Sequence, residues 1–286
     1  MPIAPKRSRA VFQKLERDLL KLSDKPRAEN IHRFRTGTRR LQVLLGDLSS
    51  KPARGQKKLL KMLGKIRKRA GKVRDLDVQL AALRRLKVVR EPRRKTQLVN
   101  HLIELRQRQE DKLRKLVDGK TVRETRKRLL RAGKEFDPKA SRDPLTVARE
   151  TLLPLQRETE PVTEALLHRY RILSKRARYT AEFADPGKNK PDAEAQKLIS
   201  HIKRIQDALG DWHDWFTLSQ TAGEKMGAAS ESALAAELQN VTGAKYRHAV
   251  AILGQLRAKP VEETRQLSKA SAGTVEKTTH SIIPAA

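Results

Sequence analysis

"IHRFRTGTRR", residues 31–40, and "LHRYRILSKR", residues 167–176, spell nearly the same basic phrase twice in one chain. Ile31 pairs with Leu167, His32 with His168, Arg33 with Arg169, Phe34 with Tyr170, Arg35 with Arg171, Arg39 with Lys175 and Arg40 with Arg176. His168 follows His32 by 136 residues. That interval is far longer than a solenoid repeat, so the natural reading is a domain-sized unit duplicated within the chain.

The duplication extends beyond the opening phrase. Each is followed by a second basic segment, "LGKIRKRAGKVRDLDV" at 63–78 and "IKRIQDALGDWHDWFT" at 202–217, which align Gly71 with Gly210 and Asp75 with Asp214. Apolar residues recur at helical spacing nearly everywhere, as in Val11, Leu15, Leu19 and Leu22, and alternating β-branched runs are missing. Breakers fall at Ser23 to Pro26, Ser49 to Pro52, Glu91-Pro92, Asp118-Gly119, Asp137-Pro138, Asp143-Pro144, Asp185 to Pro191, Gly227 and Lys259-Pro260. The chain therefore reads as all-α, with helices of roughly 15 to 25 residues joined by short connections. Two antiparallel, four-helix-type bundles, residues 6–131 and 142–257, related by an approximate two-fold axis, are the simplest architecture. The tail over 258–286 is polar, with little periodicity, and is expected to be mobile.

Composition narrows the partner. With 37% hydrophobic residues in 286 the chain can bury a core. Its 64 Lys and Arg against 33 Asp and Glu give a formal charge of +31, which costs the folded state self-repulsion unless a dense polyanion neutralises it. Nucleic acid, an acidic membrane surface and a phosphate polymer all qualify on charge alone. Aromatic residues are only 3% of the chain, so there are few platforms on which single-stranded bases stack. Cysteine is absent, which excludes disulfides, thiolate metal sites and a cysteine nucleophile. No secretory leader and no membrane-spanning apolar run is recognised, so a cytoplasmic protein without membrane attachment is expected.

Residues three, four and seven apart share a helix face. His32, Arg35 and Arg39 line one stripe, and His168, Arg171, Lys175 and Arg178 the equivalent stripe in the second half. The opposite sides are apolar: Ile31, Phe34, Leu41 and Leu45, then Leu167, Tyr170, Ala177 and Ala181. Each helix is thus expected to be anchored by one face and to present a row of cations on another, so that substituting the row loses no core contact. Such rows suit a ligand of closely repeated negative charge, with arginine gripping phosphate bidentately and lysine acting as a point charge. The two histidine helices are expected to line one continuous groove.

Nothing suggests catalysis or a metal. Asp75 and Asp77, with Asp214, follow glycine at what reads as the end of a basic helix, where an Asp serves as an N-cap or ion-pair partner. His101, His201, His248 and His280 form no ligand pattern, and His213, which takes the place of Arg74, reads as a packing or polar-network residue. No phosphate-binding glycine loop, nucleophile elbow or zincin motif is present.

Taken together, "HRFRTGTRRL" with "GKVRDLDV", and "LHRYRILSKRARYTAEF" with "IKRIQDALGDWHD", closely resemble the CHAD family, the conserved histidine α-helical domains, over residues 6–257. The resemblance implies two four-helix bundles with pseudo-two-fold symmetry and a basic groove that binds inorganic polyphosphate without catalysis or cofactor. By matching position it implies contacts from His32, Arg35, Arg39 and Arg40 in the first half and His168, Arg171, Lys175 and Arg178 in the second. Lys203 also matches a basic family position; its first-half equivalent is Gly64, for which the adjacent Lys65 is the substitute. The E-x-E-x-K signature of the triphosphatases to which many members are fused does not occur, so the chain resembles a stand-alone binding module, expected at polyphosphate granules. Duplex DNA, held through its phosphates alone, is the alternative partner.

Overall fold

The computed structural model describes residues 3–50, 54–88, 90–156, 158, 161–184, 193–226 and 232–258. These are helical throughout, apart from connections and one isolated bridge between Ser49 and Ser141. Helix α1 (Pro5–Asp24) opens on proline, whose missing N–H costs nothing in a first turn. After three residues α2 (Ala28–Val43) begins and runs into a π-helical turn, Leu44–Leu48. There follow α3 (Gln56–Arg85), α4 (Pro92–Leu116) and α5 (Gly119–Glu135), then α6 (Pro144–Gln156), α7 (Glu164–Ala181), α8 (Ala193–Met226) and α9 (Ala233–Ala258).

The punctuation is chemical. Asp118 accepts from the Thr121 N–H at 2.7 Å, Asp143 from that of Thr146 at 2.8 Å, and Thr163 Oγ1 from that of Leu166 at 3.2 Å, each satisfying a donor that the first turn leaves free. Glu91, at φ 58°, turns the chain into the proline that starts α4. The expected breaks from Ser23 to Asp143 fall at or between helix ends, except that residues 51–52 lie outside the described residues. Those at 185–191, 227 and 259–260, and the expected mobile tail beyond Ala258, lie outside the described residues.

Two expectations need correcting. Gly71 ends no helix: α3 passes through it without interruption for 30 residues, and α8 passes through Gly210 for 34. Asp75, Asp77 and Asp214 are therefore mid-helix residues, not N-caps. One glycine costs an interior helix only about 1 kcal/mol, less than the packing on either side returns.

Packing divides into three cores. The first gathers Phe12, Leu15 and Leu19 of α1, Ile31, Phe34 and Leu41 of α2, and residues of α3 and α5, and it takes in Tyr179 and Phe183 from the end of α7 and just beyond. The second joins α6 to α9 around Tyr170 and Trp212. The third combines Leu76, Leu80 and Leu83 of α3 with Leu98 and Leu102 of α4, Leu218 of α8 and Leu234 and Leu238 of α9. Two of the three cores thus draw on both halves of the chain. The bridge at Ser49 adds hydrogen bonds from Ser50 N to Ala140 O, 3.0 Å, and from Arg142 N to Leu48 O, 2.8 Å. No helix among the described residues is long and apolar enough to cross a membrane.

Candidate functional site

The apolar stripes behave as their spacing predicts. Ile31, Phe34, Leu41 and Leu45, and Leu167, Tyr170, Ala177 and Ala181, are all buried. Tyr170 keeps its hydroxyl satisfied by donating to the Leu155 carbonyl at 2.6 Å. With those faces committed to the cores, α2 and α7 pack against each other, and α3 against α8.

The arginines and lysine of the rows are half-buried rather than free in solvent, while His32 and His168 stay exposed. Arg35 lies across α3 at Gly71, where an added Cβ would collide with its Nη1. Arg35 and Arg39 of α2 stand within electrostatic reach of Arg171 and Lys175 of α7. Arg67 and Arg74 of α3 join the group, Arg67 close to Arg39 and Arg35, and Arg74 close to Arg35 and His32. Against these cations stand Asp75 and Asp214. The Asp75–Arg35 pair spans 3.7 Å with Asp75 55% exposed, so water screens most of it. The Nε of Arg171 is buried with no hydrogen-bond partner.

Crowding of like charge out of water shows in the proton affinities. Burial lowers the pKa of Arg35, Arg67 and Arg171, and neighbouring arginines push the same way. Lys175 is brought down from 10.5 to about 7, first by burial and then by Arg171 and Arg39, with Asp214 in opposition. His32 and His168 are both lowered, again chiefly by burial, with Arg74, Arg35 and Arg178 adding at His32, and His213, Arg171 and Lys175 at His168. Near neutral pH both imidazoles are thus held neutral in the free protein.

The remaining expected residues are distributed as follows. Arg178 stacks on Tyr179, 5.1 Å from the ring centre, pairs with Glu182 at 3.5 Å, and lies near His32, linking α7 to α2. Arg40 turns away from the rows to donate to Glu182 at 3.0 Å. Its counterpart Arg176 makes the converse bond, donating to Asp47 of the π-helical turn at 2.7 Å. Each histidine helix is so tied by an arginine to an acid at or just past the end of the other. Lys203 is exposed one helical repeat before Gly210. Lys65 is also exposed, but lies about 200° round α3 from Arg67, so Arg67 rather than Lys65 meets the rows.

Sequence reasoning passed over Arg67 and Arg74, whose signal was there in the helical register: positions 64, 67, 71, 74 and 75 share the face that carries Gly71. His213, expected to be a packing or polar-network residue, packs its ring against that of His168 with centroids 5.8 Å apart. Asp77 pairs with Arg106 of α4 at 2.7 Å, away from the rows. Among the described residues no group of three or more acidic or histidine side chains is placed to hold a metal. Chemically, the arrangement offers guanidinium, ammonium and imidazole donors from four helices with few anions of their own.

The CHAD domain family model matches residues 6–223. The crystal structure of the CHAD domain from the plant Ricinus communis is similar in fold, with TM-score 0.62 and 19% identity over 91% of this chain and 93% of that one. PptA from Streptomyces chartreusis is likewise similar, with TM-score 0.63 and 16% identity over 91% of this chain and 100% of that one. No curated protein sequence matches significantly.

Proposed function

Because the chain belongs to the CHAD domain family, we propose that it binds inorganic polyphosphate without catalysis, as a protein of polyphosphate granules. The observation that carries this reading is the excess of half-buried cations: Arg35, Arg39, Arg67, Arg171 and Lys175 share Asp75 and Asp214. Such crowding is a standing cost in the free protein. A linear polymer with a negative charge on every unit relieves it, and once one helix is engaged the second contact is intramolecular. A thin chain can follow cations set between helices, whereas the outer phosphates of a rigid duplex meet the exposed rim. Entry of an anion also raises the pKa of His32, His168 and Lys175, turning each into a charged donor.

The test compares two variants that each remove four charges. R35Q/R39Q/R171Q/K175Q empties the rows, and R93Q/K112Q/K115Q/K127Q removes exposed cations of α4 and α5. Titration with long-chain polyphosphate at near-physiological salt is expected to weaken more than about a hundredfold for the first, given the strength of charge-assisted hydrogen bonds. The salt slope should flatten by about one unit per lost contact. The control should lose only a few-fold. Equal losses in both, or duplex DNA bound as tightly and with the same salt dependence, would reduce the protein to a basic surface.

A further inference from the structure

Beside the cation rows lies a second basic space. Between α1, α2 and the residues just after α7 is a cavity of about 530 Å3, lined by Lys14, His32, Arg33, Thr36, Arg40 and Glu182 among others. Positions 32, 33, 36 and 40 wind round the side of α2 next to the one that carries Arg35 and Arg39. His32 belongs to both, since it lines the cavity and stands near Arg74, Arg35 and Arg178. Cavity and rows therefore meet at one imidazole.

The wall is unbalanced in charge. Among the described residues Glu182 is its one carboxylate, and that group is already engaged by Arg40 and Arg178. Arg33 pairs along α2 with Glu29 at the surface, a contact that water screens. Lys14 faces the space from α1, and Thr36 adds a hydroxyl donor. Another acid, Asp18, is buried behind Gly37, where loss of water raises its pKa while Lys14 and Arg33 oppose the shift.

We infer that this cavity is an end chamber, which takes a phosphate group of more than one negative charge arriving past His32. The group is either the terminus of a polyphosphate chain lying on the rows or a free short oligophosphate; the inference rests on the polyphosphate reading above. An internal phosphate unit carries one charge and must continue in both directions. A terminal unit carries up to two charges near neutral pH, with three terminal oxygens and a single neighbour. A space bounded by α1, α2 and the end of α7, meeting the rows at His32, fits the terminal unit. Lys14 and Arg33 supply the second charge's partners.

Linear tripolyphosphate and cyclic trimetaphosphate hold the same number of phosphates, but only the linear one has ends. The full chain and its K14Q/R33Q variant are titrated with each, and with long-chain polyphosphate. Both substitutions sit at exposed helix positions, and K14Q alone repeats the test without touching α2. The variant is expected to bind the linear trimer about tenfold more weakly, the equivalent of one charge-assisted hydrogen bond. Cyclic trimer and long chains should change less than about twofold, because neither depends on ends to the same degree. Pyrophosphate added to protein saturated with long chains separates the two sources: exclusion means that chain ends fill the chamber, and continued binding that Lys14 and Arg33 support means that free oligophosphate does. Equal weakening of linear and cyclic trimers, or of neither, overturns the chamber while long-chain binding still stands. Failure of the unmodified protein to bind long chains overturns the polyphosphate reading and the chamber with it.

Discussion

On α2 the guanidinium of Arg35 lies against the bare backbone of Gly71, whereas on α7 the matching Arg171 keeps an Nε without a partner and Gly210 has open space before it. The difference continues along both helices. Arg39 is matched by Lys175 and Arg74 by His213. Arg67 is matched by Gln206, which is buried and donates to the Ser174 carbonyl at 2.6 Å. The first half thus meets the shared space with arginines beside His32, and those arginines stay charged at any ordinary pH. The second meets it with Arg171 beside Lys175, His168 and His213, and the proton affinities of Lys175 and His168 are depressed. Two similar phrases thus differ chiefly in that Lys175 and His213 stand where the first half has Arg39 and Arg74.

The largest effect expected from this contrast is a pH dependence that one substitution removes. Lys175 is half-charged near pH 7 in the free protein and fully charged beside a bound polyanion, so binding takes up a proton above that pH. Polyphosphate affinity should fall between pH 7 and 9 with a slope approaching tenfold per pH unit, the limit for one proton. K175R should flatten the curve and R39K should leave its shape. Stability of the free protein moves the opposite way. Between about 7 and 10.5 the unfolded chain holds a proton on Lys175 that the folded chain lacks, so the fold gains stability as pH rises through that window, and below it the dependence vanishes. Calorimetric scans of the free protein across the same range check the sign.

Exchanging the glycines probes the contrast next. G71A puts a methyl where the Arg35 guanidinium rests; the flexible end of that side chain can move aside, so stability should change by less than about 1 kcal/mol while polyphosphate affinity drops several-fold. G210A meets nothing within 4 Å. It should raise stability by about 0.5 to 1 kcal/mol through helix propensity and leave affinity unchanged. If both alanines weaken binding alike, the seat at Gly71 has no special role. The smallest effect concerns the two ties between the histidine helices. Asp47 is largely buried and holds Arg176 through both oxygens, so D47N should cost about 1 kcal/mol in denaturant unfolding. E182Q, at a carboxylate more exposed than Asp47 and shared by Arg40 and Arg178, should cost less.

Much of this was legible in the order of residues. Period and breakers marked helices and several of their ends, the stripes Ile31–Phe34–Leu41 and Leu167–Tyr170–Ala177 were read as buried, and the excess of Lys and Arg called for a polyanion. Those features depend on neighbours within about two turns of helix, and the 3.6-residue period carries them directly. What tertiary structure alone decided is which faces meet. That Arg35 would need Gly71 as a seat, that Arg67 rather than Lys65 would reach the rows, that Arg40 and Arg176 would cross to acids on the opposite helix, and that α3 would run unbroken through its glycine all depend on contacts between distant segments. A helical period says which side chains share a face and is silent on the partner of that face. Only the simultaneous burial of every apolar stripe selects one arrangement, and the cations, unable to follow the stripes inward, were left together in the space between four helices.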